Sequence, residues 1–105
     1  MSEISIIVAD SQYLIRAGLV HLLSKEEEFK VVGEAVNEKR LLEKVRSKQP
    51  SVVILDHKQG SYFSPTTVRS IRQISPDTNI MIVSGDNDKK SIFEVINHGV
   101  NSFLT

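Results

Sequence analysis

Two aspartates and a serine close three short apolar runs in this chain. Ile7-Val8-Ala9 ends at Asp10, Val52-Val53-Ile54-Leu55 ends at Asp56, and Ile82-Val83 ends at Ser84. If the first two runs are neighbouring strands, their carboxylates converge at one end of a sheet. Like charges that close repel unless a cation sits between them. A hard divalent ion such as Mg²⁺ suits the place, because it takes carboxylate oxygens and keeps waters. The Ser84 hydroxyl can donate to an anion. Acids, a hydroxyl and a divalent cation at one sheet edge suit phosphoryl transfer to a carboxylate, where catalysis is mostly positioning and charge neutralisation. The same residue types also serve turns and helix starts, so Asp10 or Ser11 can equally cap the helix that follows. Spacing alone leaves both readings open.

The elements that must position these residues alternate along the chain. Ile4-Ala9 is a β-branched run, and Ile15, Leu19, Leu22 and Leu23 then recur at helix spacing. Lys30-Ala35 is a second strand. Asn37 can cap a second helix that carries Leu41, Leu42 and Val45 and stops at Pro50. Ser51-Asp56 is a third strand. Ser64-Pro65 starts a third helix marked by Val68, Ile71 and Ile74, with proline at its first position. Ile80-Val83 is a fourth strand, Asp88 to Asn97 a fourth helix, and Ser102-Thr105 the start of a fifth strand. Alternating strands and helices imply right-handed crossovers and a parallel sheet. Runs one, three and four lack polar alternation, as expected of strands covered by helices on both faces, whereas the mixed second strand suits an edge. In such sheets ligands bind beyond the carboxyl ends of the strands, which is where Asp10, Asp56 and Ser84 fall.

Composition narrows the function classes. At 105 residues and 11.8 kDa the chain amounts to one domain. Thirteen basic and thirteen acidic side chains cancel, which argues against holding nucleic acid or anionic lipid by bulk charge. The absence of cysteine excludes disulfides, thiolate metal sites and cysteine nucleophiles. No run of apolar residues is long enough to span a membrane and no leader pattern opens the chain, so a reducing cytoplasm is the expected location. The glycines match neither the dinucleotide fingerprint nor the phosphate-binding loop. His21, His57 and His98 have no metal-ligand spacing.

Taken together, several segments resemble a bacterial response-regulator receiver domain, closest to those of LuxR/NarL-type transcription factors. They are Ile7-Val8-Ala9-Asp10, Arg16-Ala17-Gly18-Leu19, Val31-Val32-Gly33-Glu34-Ala35, Val52-Val53-Ile54-Leu55-Asp56, Ile82-Val83-Ser84-Gly85 and Gly99-Val100-Asn101-Ser102-Phe103-Leu104. The resemblance runs over residues 1–105. It implies an α/β, flavodoxin-like (CheY-like) doubly wound parallel sheet of strand order 2-1-3-4-5, truncated at strand five. It implies a signalling module rather than an enzyme, with Asp56 as phosphoacceptor for a sensor histidine kinase. Asp10 and Asp56 would hold Mg²⁺ together with the backbone carbonyl of Lys58. Ser84 would contact the phosphoryl group, and Phe103 would be the switch aromatic. Phosphorylation adds about −1.5 to −2 charges and three acceptor oxygens. Ser84 can move toward those oxygens and Phe103 into the vacated space, which changes the face formed by helix four and strand five. A homodimer through that region is a further implied partner, and DNA is implied only through a C-terminal helix-turn-helix domain outside these residues.

Three departures bear on this expectation. Receivers usually carry two adjacent acids after strand one, but the second position here is Ser11, a weaker, neutral ligand for Mg²⁺. After Asp56 the chain reads His57-Lys58-Gln59-Gly60 in place of the usual apolar residue and Met-Pro turn. The family's strand-five lysine falls by register just after Thr105, and a fifth helix would follow it. Weak Mg²⁺ binding and slow phosphorylation are therefore expected. The alternative is a degenerate receiver that binds proteins without phosphorylation. A small enzyme or flavin carrier on the same fold has little support, because no extended loop follows the first strand to cradle a phosphate.

Overall fold

A computed structural model describes residues 3–56 and 65–83, with Asp56, Pro65, Ile82 and Val83 described by backbone alone. Strands and helices alternate as β1 (Ile4–Ala9), α1 (Tyr13–Ser24), β2 (Phe29–Ala35), α2 (Glu38–Lys48), β3 (Val52–Asp56), α3 (Pro65–Ile74) and β4 (Asn79–Val83). The strands form one parallel sheet of order β2-β1-β3-β4. This matches the expected 2-1-3-4-5 arrangement as far as the described residues extend, with β2 at an edge. The expected fourth helix (Asp88 to Asn97) and fifth strand (Ser102-Thr105) lie outside them.

Side chains of each central strand alternate between two cores, one on each face of the sheet. Ile6, Val8, Val52, Ile54 and Met81 pack with Leu19 and Leu23 of α1 and with Phe29. Ile7, Ala9, Val53, Leu55 and Ile80 pack with Leu41 and Val45 of α2 and Ile71 of α3. This double burial is why these strands read as unbroken apolar runs. β2 begins one residue earlier than its apolar pattern suggests, because buried Phe29 fills the α1-side core. Leu22 shares the helical spacing but is 37% exposed. The inward stripe of α1 runs through residues 19 and 23, four apart, and leaves position 22 at its margin.

Local signals fix the helix ends. Asn37 is extended and its Oδ1 accepts from the Arg40 amide at 3.0 Å, which caps α2 as its sequence position suggested. Gln49 ends α2 in the left-handed conformation. Arg40 and Glu43 form an exposed pair three residues apart, at 3.8 Å. The amino end of the sheet is closed by hydroxyls. Thr78 Oγ1 donates to the Pro50 carbonyl at 2.6 Å and lies 2.6 Å from Ser75 Oγ. The Ser5 and Ser51 hydroxyls lie 3.2 Å apart.

Candidate functional site

At the carboxyl end of the sheet β1 and β3 are adjacent, with Ala9 opposite Leu55 as the last pair of that register. The next residues along the two strands are Asp10 and Asp56. Neighbouring strands lie about 4.8 Å apart, so the backbones of both acids leave the sheet side by side. Asp56 pairs on its other side with Val83, the residue before Ser84. The side chain of Asp56, and Lys58, Ser84 and Phe103 as a whole, lie outside the described residues, as do His57 and His98.

Asp10 is 3% exposed. A carboxylate taken this far from water needs hydrogen-bond partners. Its Oδ1 accepts from the Gln12 amide at 2.8 Å. Its own amide donates to the Ala35 carbonyl at 3.0 Å, and its carbonyl accepts from Arg16 Nη1 at 2.8 Å. The helix cap proper is Gln12, which makes no side-chain capping bond. Asp10 therefore shapes the turn before α1 rather than capping the helix itself. Ser11 is half-buried, and Gln12, Tyr13 and Leu14 are exposed, so the start of α1 faces solvent.

A second layer surrounds this turn. Arg16 Nε donates to Glu34 Oε1 of β2 at 3.2 Å. The Arg16 guanidinium carbon lies 5.7 Å from the centre of the Tyr13 ring. Across the sheet, the buried Thr67 hydroxyl in α3 donates to Glu38 Oε1 at the start of α2, 2.5 Å away. These contacts were not drawn from the sequence. One signal for Arg16 was there: it stands three and seven residues before Leu19 and Leu23, which puts a cation on the apolar stripe of an amphipathic helix.

The oxygen donors near the strand ends suit the Mg²⁺ expected from the sequence, since a hard cation takes carboxylate and hydroxyl oxygens. Asp10 contributes one carboxylate, and Ser11 offers only a neutral hydroxyl. Among the described residues no three His, Cys, Asp or Glu side chains gather as a metal site. His21 is exposed. No helix among them is long and apolar enough to cross a membrane.

Residues 6–105 match the response regulator receiver domain family. The chain is 25% identical over 103 residues to the transcriptional regulatory protein DegU of Brevibacillus brevis, covering 98% of this chain and 44% of the relative. It is 24% identical over 102 residues to a probable transcriptional regulatory protein NarL of Mycobacterium tuberculosis, covering 97% of this chain and 47% of the relative. It thus spans about half the length of the curated relatives it matches. Among solved structures it resembles the response regulator domain of Thermotoga maritima CheB, with a TM-score of 0.80 at 16% identity over 97% of this chain and 99% of that one. The receiver domain of the Mycobacterium tuberculosis NarL superposes with a TM-score of 0.69 at 24% identity, over 94% of this chain and 80% of that one. The family match, the sheet order and the adjacent strands that end in Asp10 and Asp56 together make this chain a member of the response-regulator receiver family, a receiver domain of the NarL and DegU type.

Proposed function

We propose that this receiver accepts a phosphoryl group on Asp56 from a sensor histidine kinase. The observation that carries the reading is the register of Ala9 with Leu55, after which Asp10 and Asp56 leave adjacent strands at one sheet edge. A carboxylate oxygen of Asp56 attacks phosphorus, the bond from phosphorus to the donor's imidazole nitrogen breaks, and that nitrogen takes up a proton. Asp10 and Asp56, with the carbonyl of Lys58 and weakly Ser11, are the residues that would hold Mg²⁺. The cation, when bound, neutralises charge on the phosphoryl oxygens. Ser84 would contact the transferred group and Phe103 would relay the change to the helix-four and strand-five face. The NarL and DegU likeness supports a transcriptional output through a DNA-binding domain beyond residues 1–105, with a homodimer as a second partner and a cytoplasmic setting.

A specific observation favours the second reading, a receiver that binds partners without phosphorylation: the half-buried Ser11 is neutral where family members usually carry an acid. One experiment separates the two. Protein is incubated with Mg²⁺ and a small phosphodonor, and a base-labile phosphoryl adduct is sought by mass spectrometry beside Asp56→Asn. An adduct that needs Mg²⁺ and is lost in the variant supports phosphoacceptance. No adduct at any Mg²⁺ concentration supports the interaction reading.

A further inference from the structure

We propose that Arg16 is a positioning residue for the metal-holding acid, fixing the Asp10 turn with Glu34 as its anchor. This rests on the receiver reading above and assigns two residues to the support of that site. Arg16 occupies a buried place on the inward stripe of α1, at 9% exposure beside Leu19 and Leu23. A guanidinium there is costly unless it is paired and hydrogen-bonded; an aliphatic side chain would pack without that cost. Its donors are held in a rigid planar fork, so two acceptors bound to it are fixed relative to each other. One is the Asp10 carbonyl and the other the Glu34 carboxylate. Asp10 is thereby held at its amide by Ala35, at its carbonyl by Arg16 and at Oδ1 by Gln12. The direction of its carboxylate follows from these restraints.

An irregularity in the sheet delivers the anchor. Ile6 pairs with Val31 but Ile7 pairs with Gly33, so Val32 is an extra residue in β2. A one-residue shift exchanges the two faces of a strand, and bulges beside functional sites commonly re-aim a side chain. With the bulge, Glu34 stands opposite Val8, whose side chain lies in the α1-side core. Without it, Glu34 would stand opposite Ala9 and face α2. The bulge therefore brings Glu34 to Arg16. Glu34 also balances the guanidinium charge, so the group that orients Asp10 does not oppose a cation there.

The test compares ¹⁵N-labelled wild-type protein with Arg16→Met and Arg16→Lys. Three properties are read: hydrogen-exchange protection of the Gln12 amide without metal, Mg²⁺ affinity by titration with MgCl₂ alone, and melting temperature. Loss of a partner that orients a metal ligand costs about 10-fold in affinity or more. Arg16→Met is expected to weaken Mg²⁺ binding by about 10-fold and Gln12 protection by a similar factor, while the Ile54 and Ile80 amides stay protected. Arg16→Lys keeps the buried charge but cannot reach both acceptors, so it shows smaller losses in the same two readouts and serves as the second variant if methionine fails to fold. A lower melting temperature with Gln12 protection and Mg²⁺ affinity unchanged overturns the proposal and leaves Arg16 a packing strut. Wild-type protein that takes no Mg²⁺ overturns the phosphoacceptor reading, while the metal-free Gln12 measurement still decides whether Arg16 holds Asp10.

Discussion

Ala9 and Leu55 face each other on neighbouring parallel strands, one residue before Asp10 and Asp56. Ser11 follows Asp10 at the same edge, half-buried beside exposed Gln12. Ser11→Asp adds a second acid there, and its effect should change sign with the metal. In chelator the new charge repels Asp10 and lowers stability by on the order of 0.5 kcal/mol. With Mg²⁺ it becomes an anionic ligand, and affinity rises by roughly tenfold as the ligand charge count increases. Melting followed by circular dichroism should put the variant below wild type in EDTA and above it in millimolar Mg²⁺. The same ranking in both buffers would mean that position 11 shares no cation with Asp10.

Asn37 offers a test of a local signal alone. Its side chain accepts the Arg40 amide at 3.0 Å from an extended backbone. Asn37→Ala should cost about 1 kcal/mol, and Asn37→Gly only a few tenths, because glycine leaves that end open to water. Urea denaturation of the two variants gives the comparison. Equal losses would place the stabilising role of Asn37 elsewhere than in the cap.

The parts of this structure that were legible beforehand follow from period and punctuation. Residues 6–9 of β1 and 52–55 of β3 are unbroken apolar runs because each face meets helices, and the order of elements implied a parallel sheet. Asn37 and Pro50 marked α2 because capping and breaking are local. What was not legible depends on pairing over distance. The place of Arg16 on the apolar stripe was visible, but its bond to the Asp10 carbonyl does not follow from spacing, and its partner Glu34 depends on a bulge at Val32. No period-two pattern reveals an extra residue, since both parities remain plausible until the neighbouring strand fixes the register. The Thr67 bond to Glu38 depends likewise on how α2 and α3 pack.

Thr78 is expected to matter for stability and not for phosphoacceptance. It is 3% exposed and donates to the Pro50 carbonyl at the amino end of the sheet, away from Asp10. Thr78→Val keeps the shape and removes the hydroxyl that both Pro50 and Ser75 contact. The cost should be about 1–3 kcal/mol, the penalty for stranding a buried polar partner. Thr78→Ser retains the hydroxyl and should lose less. Denaturation midpoints test this order, and the yield of phosphoryl adduct in the folded variants should match wild type. A serine variant as unstable as the valine variant would mean that retaining the hydroxyl does not preserve the stability.

Gln49 sets two effects against each other at the end of α2. Its φ of 45° is left-handed, a conformation that strains a non-glycine residue. Its side chain, however, ties α2 to α3: Nε2 donates to the Ile74 carbonyl at 3.3 Å, and Oε1 accepts from Ser75 Oγ at 3.1 Å. Relieving the strain is worth about 1–2 kcal/mol. These two bonds contribute about 0.5–1.5 kcal/mol each, the sharing of Nε2 with the Val45 and Arg46 carbonyls of its own helix adds little, and glycine adds an entropic cost of about 0.5–1 kcal/mol. The balance makes Gln49→Gly less stable than wild type by about 1 kcal/mol. Gln49→Ala loses the bonds and keeps the strain, so it should fall further, by about 2 kcal/mol. Urea midpoints should rank glutamine above glycine above alanine. A glycine variant at or above wild type would mean that the backbone strain outweighs the bridge to α3.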